Sequence, residues 1–333
     1  MFCKICHEML SDKNVYTKDR RYCNICGIKH TEYLVERRQT LSSLRKMNLD
    51  SKIIQTKYLI QEAVAEFGLD NVYISYSGGK DSTVLSHIAK TMYPNILHIF
   101  ANTTNEYPET LAHIRWEREE NHTNIITVIP KDLHGDVWNF KKVVERYGYP
   151  IFSKRVSNAI RTYQHALTVK TKQNSLDYID RNFRKYSQYK DFPISDKCCD
   201  KLKKEPLRRK AKELGLKCAI LGILACESYQ REKDWLEYGC NVFHERKDNQ
   251  SRPLSFWTDK DILEYIERYN VKISKLYDFG YTRNGCMFCG YGVHLEPEGN
   301  NRFQRLRETH PVQYAYFIDN FGQLMIELNI TTA

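Results

Sequence analysis

Residues 73–90 read YISYSGGKDSTVLSHIAK, with Ser77, Gly78 and Gly79 set between two apolar stretches. A turn alone would not need the Lys80, Asp81 and Ser82 that follow. NVYISY before the glycines has the composition of a strand, and STVLSHIAKTMY after them has helical spacing. Outward from there NILHIF and NIITVI are strands of the same kind, separated by the helical PETLAHIRWEREE, and KCAILGIL returns later as another buried strand. Short apolar strands alternating with helices of ten or more residues predict an α/β fold around a doubly wound, mostly parallel sheet. The glycine loop then lies at the carboxyl end of the first sheet strand and opens a helix, the place where such folds bind ligands. Successive N–H groups of a glycine-rich turn can converge on one anion, and the helix dipole adds partial positive charge. A phosphate cradle fits this loop better than a serine-glycine helix cap does. The spacing is neither that of the Walker loop nor that of dinucleotide-binding folds.

The 333 residues are 41% hydrophobic and 12% aromatic, which excludes a disordered chain and allows a substantial core. No apolar run approaches the roughly 20 residues that span a bilayer, and the start, MFCKICHEML, lacks a secretory apolar region, so a cytoplasmic protein is expected. In a reducing compartment, regularly spaced cysteines usually mean metal rather than disulfides. Cys3, Cys6, Cys23 and Cys26 form two CxxC pairs 16 residues apart, a spacing that predicts a structural zinc ribbon or knuckle. Incidental or reactive CxxC pairs are the alternative. A second set comprises Cys198, Cys199, Cys286 and Cys289. Adjacent cysteines do not easily face one ion, whereas a 4Fe-4S cluster offers separate iron corners; a second zinc stays open from spacing alone. Cys218, Cys226 and Cys240 read as buried small hydrophobes.

The expected organisation is a zinc segment over 1–30, a helical linker over 31–69, and a nucleotide-binding α/β domain over 70–258. A basic helical insertion occupies 151–197 of that domain, and a helical region carrying the CxxC ligands follows over 259–333. Between residues 151 and 190 lie nine Lys or Arg against two Asp, with Tyr163, Tyr178, Phe183, Tyr186 and Tyr189 among them. Basic residues interleaved with aromatics suit a phosphate backbone and unstacked bases, although solvated helix faces read the same way residue by residue.

SGGKDS resembles the pyrophosphate loop of the ATP pyrophosphatase superfamily. Further along, the resemblance narrows to the phosphoadenosine phosphosulfate reductase family and its look-alikes, over about residues 71–317. FANTTNEYPET is similar to that family's DTGxxxPET stretch at Pro108, Glu109 and Thr110, while Asn102 and Thr104 replace the usual Asp and Gly. CCDKLKKEPL is similar to the CCxxRKxxPL cluster motif, with Leu202 where Arg is usual. LGILACESYQR is similar to GxRAxESxxR at Gly222, Ala225, Glu227, Ser228 and Arg231. RPLSFWTDKDILEYI and GCMFCGYG complete the series.

The resemblance implies that Ser77, Gly78, Gly79, Lys80, Asp81 and Ser82 bind the pyrophosphate of ATP with Mg2+. It places Glu109, Gly222, Glu227 and Arg231 at the nucleotide, with Lys80, Asp81, Glu227 and Arg231 serving catalysis, and it favours the 4Fe-4S cluster. The ECGxH tail of sulfonucleotide reductases is not found after Cys289. The expected activity is therefore ATP-dependent, adenylating sulfur transfer, with tRNA or DNA as acceptor and a sulfur-donor protein as a further partner. Sulfonucleotide reduction with a thiol from elsewhere, and a noncatalytic nucleotide sensor, are the alternatives.

Overall fold

The computed structural model describes residues 3–332 apart from 12, 13, 18, 133, 245–247 and 298. Its strands are β1 (Val72–Tyr76), β2 (His98–Ala101), β3 (Ile125–Val128), β4 (Ile151–Phe152), β5 (Cys218–Leu221), β6 (Asn241–Val242), β7 (Asn249–Ser251) and β8 (Gly290–Tyr291). The chain forms two compact units. One contains residues 73–83, 95–217 and 272–333; the other contains residues 1–72, 84–94 and 218–271.

In the first unit β1, β2 and β3 run parallel, with Ile74 opposite His98 and His98 opposite Ile125. β2 is buried along its whole length, as a parallel strand covered on both faces must be. The connection from β2 to β3 is the helix Pro108–Glu119, which starts with proline, a residue that lacks the N–H a first helical turn leaves unsatisfied. The remainder of the unit is held by an apolar cluster that includes Phe140, Tyr149, Ile151, Phe288, Phe317 and Phe321. The helices Arg302–Thr309 and Pro311–Glu327 close it, in agreement with the helical C-terminal region expected.

In the second unit β5 and β7 are parallel and β6 is antiparallel to β7. The linker is two helices, Asn24–Lys46 and Leu49–Phe67, broken where the Asn48 carboxamide accepts the Ser51 N–H at 2.8 Å. The RPLSFWTDKD segment anchors the second of them. Trp257, fully buried, donates its indole N–H to Thr56 Oγ1 at 3.0 Å. Lys52, 1% exposed, pairs with Asp261 at 2.7 Å, and Arg252 pairs with Asp234 at 2.6 Å. These motif residues do packing work. Cys218 is buried in β5, and burial pushes its thiol up to about 12. Cys240 is half-buried and accepts from Trp235 and Ser255. Cys226, by contrast, is exposed, because it falls in the single turn Ala225–Glu227 beyond the buried strand. Among the described residues no helix is long and apolar enough to cross a membrane.

Candidate functional site

The loop between β1 and the helix Lys80–Lys90 is built by its own serines. Ser77 and Ser82 hydroxyls lie 3.0 Å apart, Ser82 donates to Gly79 O at 2.9 Å, and the Thr83 N–H closes the first helical turn on Gly79 O. Gly78 has φ +72, and a Cβ there would approach Thr110 and Ile114 at 3.1–3.2 Å, so this position requires glycine. Lys80 and Asp81 side chains pair at 3.1 Å. The backbone N–H of Lys80 donates to the Tyr277 hydroxyl at 2.8 Å. Asn284 donates to Ser77 O at 3.2 Å and accepts from Thr110 at 3.0 Å. Tyr277 and Asn284 are absent from the sequence reading. Asn284 has one signal, its position two residues before Cys286.

That adjacency carries the second cysteine set into the same unit. The segment 149–152 acts as a central strand: Tyr149 bridges Ile194 in parallel on one side, and β4 pairs with β8 in parallel on the other. Cys198 and Cys199 follow the first neighbour, and Cys286 and Cys289 precede the second. Gly290 permits this pairing, because a Cβ there would lie 2.8 Å from Pro150 O. Burial pushes Cys198 well up and Cys289 to about 11, and negative charge at Cys286 and Cys199 adds to both shifts. Burial pushes the Cys286 thiol up, and its interaction with Lys203 favours the charged form of that lysine. Cys286 also lies 3.8 Å from the Thr103 hydroxyl, which donates to the buried Glu106 at 2.6 Å. Two buried donors near this set have no partner among the described residues, the Tyr291 hydroxyl and the Asn105 carboxamide nitrogen. Asn105 is otherwise engaged with this loop, accepting from Met287 and Phe288 N–H groups.

The other unit holds Cys3, Cys6, Cys23 and Cys26, whose sulfur atoms all lie within 4.8 Å of one another. Cys6 and Cys23 are 3.7 Å apart, and a tetrahedral ion with metal–sulfur bonds of about 2.3 Å needs sulfur separations of about 3.8 Å. These four can hold a metal ion.

Glu109 lies in the first turn of its helix and meets His310 Nε2 at 3.0 Å; His310 is buried and its Nδ1 bonds Thr309. Gly222, Glu227 and Arg231 belong to the unit that carries the N-terminal cysteines, where Glu227 and Arg231 form an ion pair with each other. In the basic insertion Arg181, Arg184 and Lys185 are exposed. Tyr163 and Tyr189, however, are buried in the apolar cluster, and Tyr186 bonds His294 at 2.9 Å, so those rings serve packing. The Thr that replaces the family's Gly at position 104 takes φ +63, a left-handed conformation that explains why glycine is usual there.

Comparison with known proteins adds the following. An uncharacterised protein of Methanocaldococcus jannaschii is 23% identical over 298 residues, covering 87% of this chain and 56% of that protein. The adenosine 5'-phosphosulfate reductase of Anoxybacillus flavithermus is 31% identical over 103 residues, 31% of this chain and 42% of that protein. The chain thus spans about half the length of these curated relatives. A phosphoadenylyl-sulfate reductase structure from Candida auris aligns over 75% of this chain and 93% of that one, at 16% identity and a TM-score of 0.44. Residues 71–147 and 152–291, more than half of the chain, match the phosphoadenosine phosphosulfate reductase domain, and the chain belongs to that family.

Proposed function

We propose that this protein is an ATP-dependent sulfurtransferase that adenylates an acceptor, with release of pyrophosphate, and acts on a nucleic acid. The observation that carries this reading is the SGGKDS loop, whose Gly79 and Lys80 N–H groups open a helix in the same unit as Cys198, Cys199, Cys286 and Cys289. A backbone anion site and a lysine together suit a triphosphate tail brought with Mg2+.

Ser77, Gly78, Gly79 and Ser82 hold the β and γ phosphates in this reading, and Lys80 offsets charge on the departing pyrophosphate while Asp81 positions the lysine. Glu109, Gly222, Glu227 and Arg231 are assigned to the nucleotide. An acceptor oxygen attacks the α phosphorus, the bond to the β-phosphate oxygen breaks, and pyrophosphate leaves. Sulfur at the sulfide level, from a donor protein, then displaces AMP. The net change exchanges oxygen for sulfur and needs no electrons.

Cys3, Cys6, Cys23 and Cys26 are assigned to a structural zinc that folds the first thirty residues, since four thiolates leave no open position. The second cysteine set joins two adjacent thiols to a CxxC pair, and it leaves the Tyr291 and Asn105 donors without a partner among the described residues. Both features fit a 4Fe-4S cluster, whose sulfides accept hydrogen bonds. Such a cluster would supply sulfur handling or electron storage when bound.

The test incubates anaerobic protein with radiolabelled ATP, Mg2+ and total tRNA or DNA. Acceptor-dependent AMP and pyrophosphate support the proposal. Sulfite release from a sulfonucleotide without ATP overturns it in favour of reduction.

A further inference from the structure

A groove of about 380 Å³ lies in the loop-bearing unit, outside both cysteine sets and the phosphate loop. Lys131, Arg146, Lys201 and Arg209 surround it, and Trp138 and Tyr147 provide its rings. The Arg146 guanidinium sits 5.7 Å over Trp138 and 5.6 Å over Tyr147, and Lys201 Nζ lies 5.7 Å over Tyr147. The two acids at the groove are already engaged. Asp132 accepts the N–H groups of His134 and Asp136 at 2.9 and 3.0 Å, and Glu205 pairs with Lys201 at 2.9 Å. Neither Lys131 nor Arg146 has a carboxylate partner among the described residues. With four cations to two carboxylates the groove presents net positive charge beside aromatic surface, the combination that holds a phosphate and stacks a base.

Its position gives the charge a purpose. One wall is the helix Phe140–Tyr147, whose inner face buries Phe140 and Val143 in the cluster that contains Cys198. Trp138 and Tyr147 pack on that same cluster. A base stacked in the groove thus lies one helix away from the cysteine set.

We propose that this groove binds one unstacked nucleotide of a single-stranded segment, its phosphate against Lys131, Arg146 and Arg209 and its base on Trp138 and Tyr147. The inference rests on the nucleic-acid reading above and names the surface that delivers it. The site is cut for a single strand, because a base paired in a duplex offers no free face to these rings.

The experiment measures binding of the full chain to fluorescein-labelled 20-nucleotide single-stranded RNA and DNA across a salt series. Arg146 and Arg209 are exposed, so Arg146→Gln with Arg209→Gln leaves the fold intact. The double variant is expected to bind about tenfold more weakly, with the logarithmic salt slope reduced by about 1.4. Trp138→Leu is expected to weaken binding without changing the slope. A comparison variant neutralises Arg181, Arg184 and Lys185. Binding lost only in that comparison variant overturns the groove and leaves the nucleic-acid reading standing. Wild-type protein with no salt-dependent affinity for either strand overturns the reading itself. Equal competition by polyglutamate, with Trp138→Leu without effect, makes the groove a face for an acidic protein and also overturns the inference.

Discussion

The phenolic hydroxyl of Tyr277 accepts the backbone N–H of Lys80 at 2.8 Å, at the first residue of the helix that follows the glycine loop. Burial raises the pKa of this phenol, so the hydroxyl is neutral and holds an N–H that the proposed function gives to a phosphate oxygen. One such hydrogen bond is worth about 0.5–1.5 kcal/mol.

Tyr277→Phe is therefore expected to tighten binding of a nonhydrolysable ATP analogue by about two- to tenfold, as that energy dictates. Isothermal titration calorimetry reads the change. Weaker binding would mean that the hydroxyl contacts the phosphates itself.

In the proposed function, Lys80→Ala removes the charge that faces the leaving pyrophosphate. Turnover is expected to fall about a hundredfold, about 3 kcal/mol in the barrier, while analogue affinity changes much less. Pre-steady-state pyrophosphate release separates the two quantities. Equal losses in both would assign Lys80 to ground-state binding.

Anaerobically purified protein is expected to carry about one zinc, and about four irons with matching sulfide, as one tetrahedral site and one cubane require. Metal analysis with absorption spectroscopy measures both. Two zincs without iron would refute the cluster.

Cys26→Ser is expected to loosen the first thirty residues to proteolysis and to leave analogue binding unchanged, because the SGGKDS loop belongs to the other unit. Loss of nucleotide binding along with zinc would make the ribbon part of the pocket.

Thr104→Gly relieves a β-branched residue held at φ +63. The left-handed conformation costs a residue with a Cβ about 1–2 kcal/mol, partly offset by the greater chain entropy of glycine. A net gain of about 0.5–1 kcal/mol in urea unfolding is expected. Destabilisation would show that the Thr104 side chain makes a contact worth more than the strain.

Most of the site's parts were legible because each depends on local order. Glycine at 78 follows from its own φ of +72. The CxxC pairs likewise need only short loops to converge, and Cys6 meets Cys23 at tetrahedral spacing. The interleaved aromatics of 151–190 could not be sorted in this way, since Tyr178 is exposed while others of the set are buried. Tyr163 and Tyr189 share the composition of a stacking surface, and only burial shows that they face the core.

The chain's own residues thus determined the α/β alternation, the phosphate-type loop, the two cysteine sets and the family, all properties of periodicity and of spacing between near neighbours. Tertiary structure alone decided what meets the loop. Tyr277 and Asn284 reach Lys80 and Ser77 from about two hundred positions away. The segment 149–152 joins the two halves of the second cysteine set by pairing with Ile194 and β8. The groove of Lys131, Arg146 and Arg209 likewise gathers charges from three separate segments. Such meetings depend on which apolar faces are buried against each other across long stretches of chain, and burial acts through area rather than direction, so it leaves no local pattern in the sequence.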